Sequence, residues 1–363
     1  MGAGQFSPQP CRRLARLVLA AVGVLGALHA TAGPTRAHDF GGEDDSLYVV
    51  ADALFLQRNN ACRNEAVIVS DQTPPQDVLT TRQMVSPVAP GTRIRLGSLG
   101  AGDCDSLGWE AGYLGVYGMN DARRFTDGGG TLQAGGGLGF AKASGLSRAT
   151  SGFTTYDSTL NSAELSAVWH DFDGGFSRRS RYPWARTPGY AAGSIDYLLG
   201  PRWAQLDESA LLGLVPQGAG IANTYGVNAV SNLYACQFGA RGRMAFERWA
   251  TEGWIKFGPA ISSLSQSQSF YNQVTPGDPF RPAGSASHSG MGSITDMNLT
   301  AVRRIDDTWG LRVGYNLIWL TGVALAPDQW SFSGSRSAAA GDNLVGTGSI
   351  FLQGGSVGLE ARW

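Results

Sequence analysis

Apolar and polar residues alternate along most of this chain, a period that sends successive side chains to opposite faces of a strand. Val49, Ala51, Ala53 and Phe55 stand against Asp52 and Arg58. Ile94 and Leu96 alternate with Arg93 and Arg95, while Trp109, Ala111, Tyr113 and Tyr117 oppose Glu110 and Gly112. Leu165, Ala167 and Trp169 face away from Glu164 and His170, as Ile195, Tyr197, Leu199 and Trp203 do from Asp196 and Arg202. Tyr234, Phe238 and Ala240 oppose Gln237 and Arg241. Trp249, Ile255 and Phe257 oppose Arg248, Glu252 and Lys256. Met297, Leu299 and Ala301 oppose Asp296 and Asn298, and Leu311, Val313, Tyr315 and Trp319 oppose Arg312 and Asn316. Such segments run roughly 8 to 14 residues, which brackets the 9–11 of a tilted strand that crosses a bilayer.

A soluble sandwich also alternates, with its apolar face in a core and its polar face in water. Here Trp109, Trp169, Trp203, Trp249, Trp319 and Trp363 stand toward the ends of apolar rows. Indole rings prefer the boundary between hydrocarbon and headgroups, so the placement fits aromatic girdles. Trp249 and Trp254 fall on opposite faces, an exception to that rule. Connections alternate in length. Residues 98–106, 242–246 and 305–308 are short; 59–90, 120–158, 206–228, 262–292 and 323–346 are long and rich in Gly, Ser, Pro and Asn. Brief periplasmic turns and long external loops are the habit of bacterial outer-membrane barrels. Ten strands thread this scheme with both termini periplasmic, at the expense of one long periplasmic turn at 171–188. Extra hairpin strands at 131–140 and 209–215 would make twelve. The expectation is an all-β fold, a transmembrane antiparallel up-and-down β-barrel of 10–12 strands with long external loops.

Both ends of the chain agree with export. Arg12, Arg13 and Arg16 precede an apolar run from Leu17 to Leu28 and then Ala30-Thr31-Ala32, the three parts of a signal peptide. Cleavage is expected after Ala32, with Ala37 as an alternative. The run is shorter than the ~20 residues of a spanning helix, and Cys11 lies outside any lipobox. This divides the chain into a signal peptide at 1–32, a periplasmic segment at 33–46 and a barrel at 47–363. At the other end, Val357, Leu359, Ala361 and Trp363 form an apolar row opposite Gly358, Glu360 and Arg362. A final strand that ends on an aromatic resembles the closing strand of an outer-membrane barrel, the signal read by barrel-assembly machinery. The localisation expected is the outer membrane.

Composition narrows the classes further. Gly accounts for 51 of 363 residues and Lys occurs only at Lys142 and Lys256, which favours turns and closely approaching strands over helices. Three of the 28 basic residues lie in the leader, against 29 acidic ones, so nothing in the charge balance points to nucleic acid. Cys62, Cys104 and Cys236 remain after cleavage. Cys236 alternates with Tyr234 and Phe238 and reads as a small lipid-facing hydrophobe. A Cys62–Cys104 disulfide would join segments that this threading places on opposite sides of the membrane.

Three constellations invite chemistry and each has a plainer reading. Gly128–Gly130 and Gly135–Gly139 lack the strand–loop–helix setting and the Gly-Lys-Ser/Thr of a phosphate loop. His170-Asp171 and His288-Ser289 would need a converging nucleophile, base and acid to form a hydrolase site. Leu206–Ser209 and Glu43–Asp45 lack calcium-loop spacing and read as solvated turns. No catalytic residue, metal ligand or cofactor is expected, and the chain is not read as an enzyme.

Several stretches carry a family resemblance. They are Ala51–Leu56, Leu199–Ser209 (LGPRWAQLDES), Asn232–Gly239 (NLYACQFG), Arg312–Trp319 (RVGYNLIW) and Ile350–Glu360 (IFLQGGSVGLE). Together they resemble the outer-membrane β-barrel porins of the seventh such family, found chiefly in planctomycete-type bacteria. Pro201 and Cys236 depart from its pattern, where an aromatic or small residue is usual. The resemblance implies a barrel and a porin architecture, and it says nothing of the solute.

The residues themselves single out one set. Charge on a lipid face costs roughly 2–4 kcal/mol near the midplane, so Arg93, Arg95, Glu110, Glu164, Asp196, Arg202, Gln237, Arg241, Arg248, Glu252, Lys256, Asp296, Arg312, Glu360 and Arg362 should face the lumen, with Asp52 beside them. They would line either a narrow pore or a salt-bridged plug. The function expected is a porin-type passive channel for small hydrophilic solutes, with outer-membrane lipid and the assembly machinery as partners. The alternatives are a non-conducting structural or surface-adhesive barrel and an outer-membrane hydrolase.

Overall fold

The computed structural model describes residues 47–60, 63–70, 75–84, 87–98, 107–126, 131–136, 138–171, 193–246, 249–272 and 279–362. The expected signal peptide, the 33–46 segment, Cys62, Cys104, residues 172–192 of the expected long turn, Arg248 and Trp363 lie outside them. Thirteen strands make one sheet, and ten of these close into an antiparallel barrel. The ring runs through β1 (Leu47–Asn60), β4 (Ala89–Ser98), β5 (Leu107–Thr126), β7 (Ala149–Asp171), β8 (Gly193–Pro216), β9 (Asn223–Phe246), β10 (Trp249–Tyr271), β11 (Gly284–Arg304), β12 (Trp309–Val323) and β13 (Gly348–Arg362). First and last strands pair from Tyr48 with Arg362 to Asn60 with Ile350 and close the ring. A closed ring leaves no lipid-exposed strand edge, which a membrane requires.

The barrel is taller on one side than the other. β1, β4, β12 and β13 are 10 to 15 residues long, whereas β5 and β7 to β11 are 20 to 24. The short β2 (Ala66–Ser70), β3 (Gln76–Thr80) and β6 (Leu132–Ala134), with helix α1 (Leu138–Ala143), pack at the open side of the tall wall. β11 reaches beyond its neighbour: it pairs with β12 only from Ser293 onward, so among the described residues 284–292 have β10 as their one ladder partner.

Two expected loops are therefore strands. Residues 206–216, 223–228, 262–271 and 284–292 all lie in ladders. Ser, Gly and Asn had marked these stretches as loops, but their period of two persists. On β10 the serines at 263, 265, 267 and 269 are exposed while Ser262, Leu264, Gln266 and Gln268 are buried. The outer face of that strand changes from Ile255, Phe257 and Ile261 to serine at Ser263. From Trp249 to Ile261 is about 40 Å along the strand at ~3.3 Å per residue, or close to 30 Å once tilted. That matches a hydrocarbon core, and the serines above it suit water.

The other corrections share this cause. Residues 209–215 continue β8 rather than making a new strand, and 131–140 hold only the three-residue β6 before α1 begins. His288 lies on β11, not in a loop. Leu206–Ser209 is not a solvated turn, since it lies inside β8 with Glu208 buried. The register between the tall strands β5 and β7 shifts between Val116 and Met119, where Gly118 adopts a φ of 69°. That left-handed conformation is one glycine reaches without strain.

Candidate functional site

The outer surface repeats the predicted belt. Phe55, Trp109, Leu165, Trp169, Tyr197, Leu199, Tyr234, Phe238, Trp249, Ile255, Leu299, Tyr315 and Trp319 are all exposed, far more apolar area than a water-soluble surface carries. Cys236 is exposed among them, as its alternation implied. Val357 and Leu359 of the terminal row are also exposed, whereas Ala361 is covered.

Inside, the barrel is filled in layers. Around the start of β1 and the end of β13 lies a charged layer. Arg241 reaches Glu110 at 2.6 Å and Asp196 at 2.8 Å, and Lys256 bridges Glu110 at 3.0 Å and Glu164 at 2.6 Å. Arg312 holds Glu360 at 2.6 Å, Glu252 at 3.0 Å and Asp52 at 3.4 Å. Arg95 contacts Glu252 at 2.9 Å and Glu110 at 3.4 Å. Asp296 takes Arg93 and Arg202, each at 3.2 Å. Gln237 donates to Glu164 at 2.9 Å, and Arg362 closes the rim on Glu360 at 3.4 Å.

Every lumen candidate among the described residues thus faces inward, and they converge into one network. Arg93 and Arg95, two residues apart on the inner face of β4, are locked in place: both guanidiniums lie over the Trp254 ring, at 5.1 and 4.3 Å, and both have acidic partners. A cation on an indole face gains about 2 kcal/mol when desolvated, so Trp254 serves the network rather than the lipid.

Sequence parity missed Arg243, Tyr48 and Glu208. Arg243, assigned to a turn, holds Glu360 at 2.8 Å and Glu252 at 3.2 Å. Tyr48 donates to Glu110 and accepts from Arg241. Arg58 and Glu208 pair at 2.6 Å higher up the lumen. The signal for Arg243 was available, because it keeps step with Arg241 on the inner face of β9.

Above the charged layer comes an apolar one, with Leu54, Leu56, Leu114, Leu160, Leu206, Leu233, Ile318, Leu320 and Leu352 all buried. The Arg58–Glu208 pair follows, and then an aromatic core of Phe140, Tyr225, Phe280 and Trp330. Residues 324–347 cap this stack. Glu208 Oε2 accepts from the Ala326 amide at 2.8 Å, Ser231 Oγ from the Ala324 amide at 2.9 Å, and Tyr225 Oη from the Ser331 amide at 2.8 Å. Gln329 binds the Val345 backbone through both its amide nitrogen and its oxygen, at 2.8 Å each. Within the cap, burial pushes the Asp328 carboxyl up to about 6, partly offset by the Arg63 amide that it accepts at 2.9 Å.

No cluster with metal-ligand composition occurs among the described residues, and no helix among them is long and apolar enough to cross a membrane. No family model and no curated protein matches the chain. Among solved structures it is similar to the outer membrane protease OmpT from Escherichia coli, at 10% identity and a TM-score of 0.47, over 90% of this chain and 100% of that one. It is also similar to a Pseudomonas aeruginosa FadL homologue, at 9% identity and 0.26, over 89% and 90%. The Pseudomonas putida toluene transporter TodX matches at 10% identity and 0.22, over 89% and 90%. With scores this low, the barrel rests on its own strand register, and no chemistry carries across.

Proposed function

We propose that this chain is an exported outer-membrane barrel that does not conduct, and that it serves as a rigid structural support for its cap at the cell surface. The observation that carries this reading is the filled lumen. A charged layer, an apolar layer and a latched cap lie in series, and a solute would have to part all of them. The tall wall supports the surface role, since β8 and β9 have 24 residues each where 9–11 suffice to cross. The leader, the apolar belt and the terminal row support outer-membrane placement, with lipid and the assembly machinery as partners. Kinship with the seventh porin family rests on the motifs quoted above. No catalytic role is assigned to any side chain.

The test is single-channel recording of the refolded protein in a planar bilayer. Baseline current is expected. Steady ohmic conductance would instead establish a passive channel for small hydrophilic solutes, with the network and the cap as its moving parts.

A further inference from the structure

The tall wall has two upper margins, each with one ladder partner among the described residues, and the chain treats them differently. β4 reaches β5 only as far as Val116, so 119–126 pair with β7 alone. That margin is guarded. The register shift and Gly118 lie at its foot, and Asp121, Arg123 and Arg124 put charge along it. Arg123 also donates to the carbonyl of Gln83. Bulges and charges are how natural sheets blunt an edge.

The β11 margin at 284–292 has no such guard. Its register with β10 is unbroken from Arg303 to Gly284, and the stretch holds no proline, lysine, arginine or carboxylate. Ser285, Ser287, His288, Ser289 and Met291 are exposed. At its foot Gly322, with a φ of 72°, takes the chain from β12 toward the buried 323–326. No described backbone group outside β10 bonds to 284–292. The lane in which β12 would have continued is about 30 Å long at ~3.3 Å per residue.

Alternating amides and carbonyls are matched along their whole length only by another extended backbone. This chain has none to spare. On that side of the barrel the stretches outside the described residues are six residues or fewer, and the longer ones, 1–46 and 172–192, join β1, β7 and β8 at the opposite rim. A second copy in the same membrane fails by direction. Two barrels with the same side outward are related by an axis along the membrane normal, which crosses their β11 edges at roughly 70–90°, twice the strand tilt. Paired strands turn by only about 20–25°.

The flanking side chains describe what fits. Outward, Ser285, Ser287 and Ser289 stand opposite Ser267, Ser265 and Ser263 of β10 and extend a face of hydroxyls. On the other face Ala286, His288 and Gly290 offer no fixed charge to pair.

We propose that 284–292 is the docking site for an extended strand of a different polypeptide, uncharged and rich in small or hydroxyl side chains, which adds to the sheet antiparallel to β11. That this margin faces the cell exterior rests on the proposed outer-membrane placement. Pairing itself can be measured in detergent, where neither that placement nor the lack of conduction plays a part.

Hydrogen–deuterium exchange of the refolded mature protein reads the margin amide by amide. Alone, alternate amides of 284–292 should exchange freely while those bonded to β10 are slow. The probe is Thr-Ser-Thr-Ser-Thr-Ser-Thr-Ser-Thr, acetylated and amidated so that it carries no charge, with threonine for its strand preference. At millimolar concentration it should slow the free set about tenfold and leave 119–126 unchanged. The same peptide N-methylated throughout, which keeps its side chains and loses its donors, should protect nothing. Ser287→Pro or His288→Pro, at whichever amide exchanges fast alone, keeps the β10 ladder and should lose the protection around it. Slow exchange throughout 284–292 without peptide, constant or rising with protein concentration, would overturn the proposal, because the lane would already be taken by this chain or a second copy. No protection by the unmodified peptide, or equal protection by the methylated one, would overturn it as well.

Discussion

Glu252 is the residue on which the charged layer depends most. It contacts Arg95, Arg243, Arg312 and Arg362 at once, and its removal leaves several buried guanidiniums short of a partner. Breaking a buried pair from one side costs about 3–5 kcal/mol. Glu252→Gln should therefore lower the urea midpoint of the refolded barrel by that order. Arg304→Ala, which removes a pair with the exposed Asp307, should cost under ~1 kcal/mol, and equal losses in the two variants would contradict the network. How much of this was legible follows from parity. Arg93, Arg95, Glu110 and Arg312 could be placed inside because a charge on the lipid face is forbidden. The locking of Arg93 and Arg95 on Trp254 could not, since strand parity says which face a side chain shares and nothing of what stands across a lumen. Glu208 was missed because Asp-Glu-Ser beside a glycine-rich stretch has the composition of a turn, and composition is blind to a period that continues.

At the scale of the element, the decisive finding is that β10 outlasts the membrane. Below Ile261 its outer face is apolar; above it the same face is serine, and the inner face stays buried throughout. The strand predicts its own mutational pattern: Ser265→Lys should change stability by less than ~0.5 kcal/mol, while Leu264→Ala, one position away and 2% exposed, should cost about 2–5 kcal/mol. Similar losses at both positions, read by urea titration, would return this stretch to a loop. The 324–347 cap adds a pH dependence. Asp328 faces Arg63, Glu65 and Glu208, and its carboxyl, raised to about 6, holds its proton more tightly folded than unfolded. For an acid shifted upward, stability is greatest below its unfolded value of ~3.9 and is lost as pH rises through about 6. Protease cleavage within the cap should thus slow between pH ~7.5 and ~5, and Asp328→Asn should flatten that change. A wild-type rate that is constant or rises on acidification would remove Asp328 as its cause.

For the whole molecule, closure is redundant. Glu208→Ala frees the Ala326 amide and leaves the buried Arg58 without its carboxylate, so the cap should become readily cleaved. Bilayer current should nevertheless stay at baseline, because the charged and apolar layers below do not use that latch. Current in this variant, with none in wild type, would make the cap the sole gate. The general outline of the barrel was available from alternation, aromatic placement and the terminal row. Its asymmetry was not, since nothing in a period of two tells a strand bathed in lipid from one bathed in water.

That asymmetry fixes how deep the molecule can sit. Residues 284–292 of β11 carry a row of amides and carbonyls on the side away from β10, and such groups keep their hydrogen bonds only in contact with water or protein. Oil cannot supply them, and each orphaned group would cost several kcal/mol. The bilayer surface on that flank can rise no higher than Ser293, whatever thickness the lipid prefers elsewhere. A thicker membrane must therefore tilt the barrel toward its short wall or thin itself along β11, so this margin, without a second ladder partner among the described residues, acts as a waterline drawn in backbone.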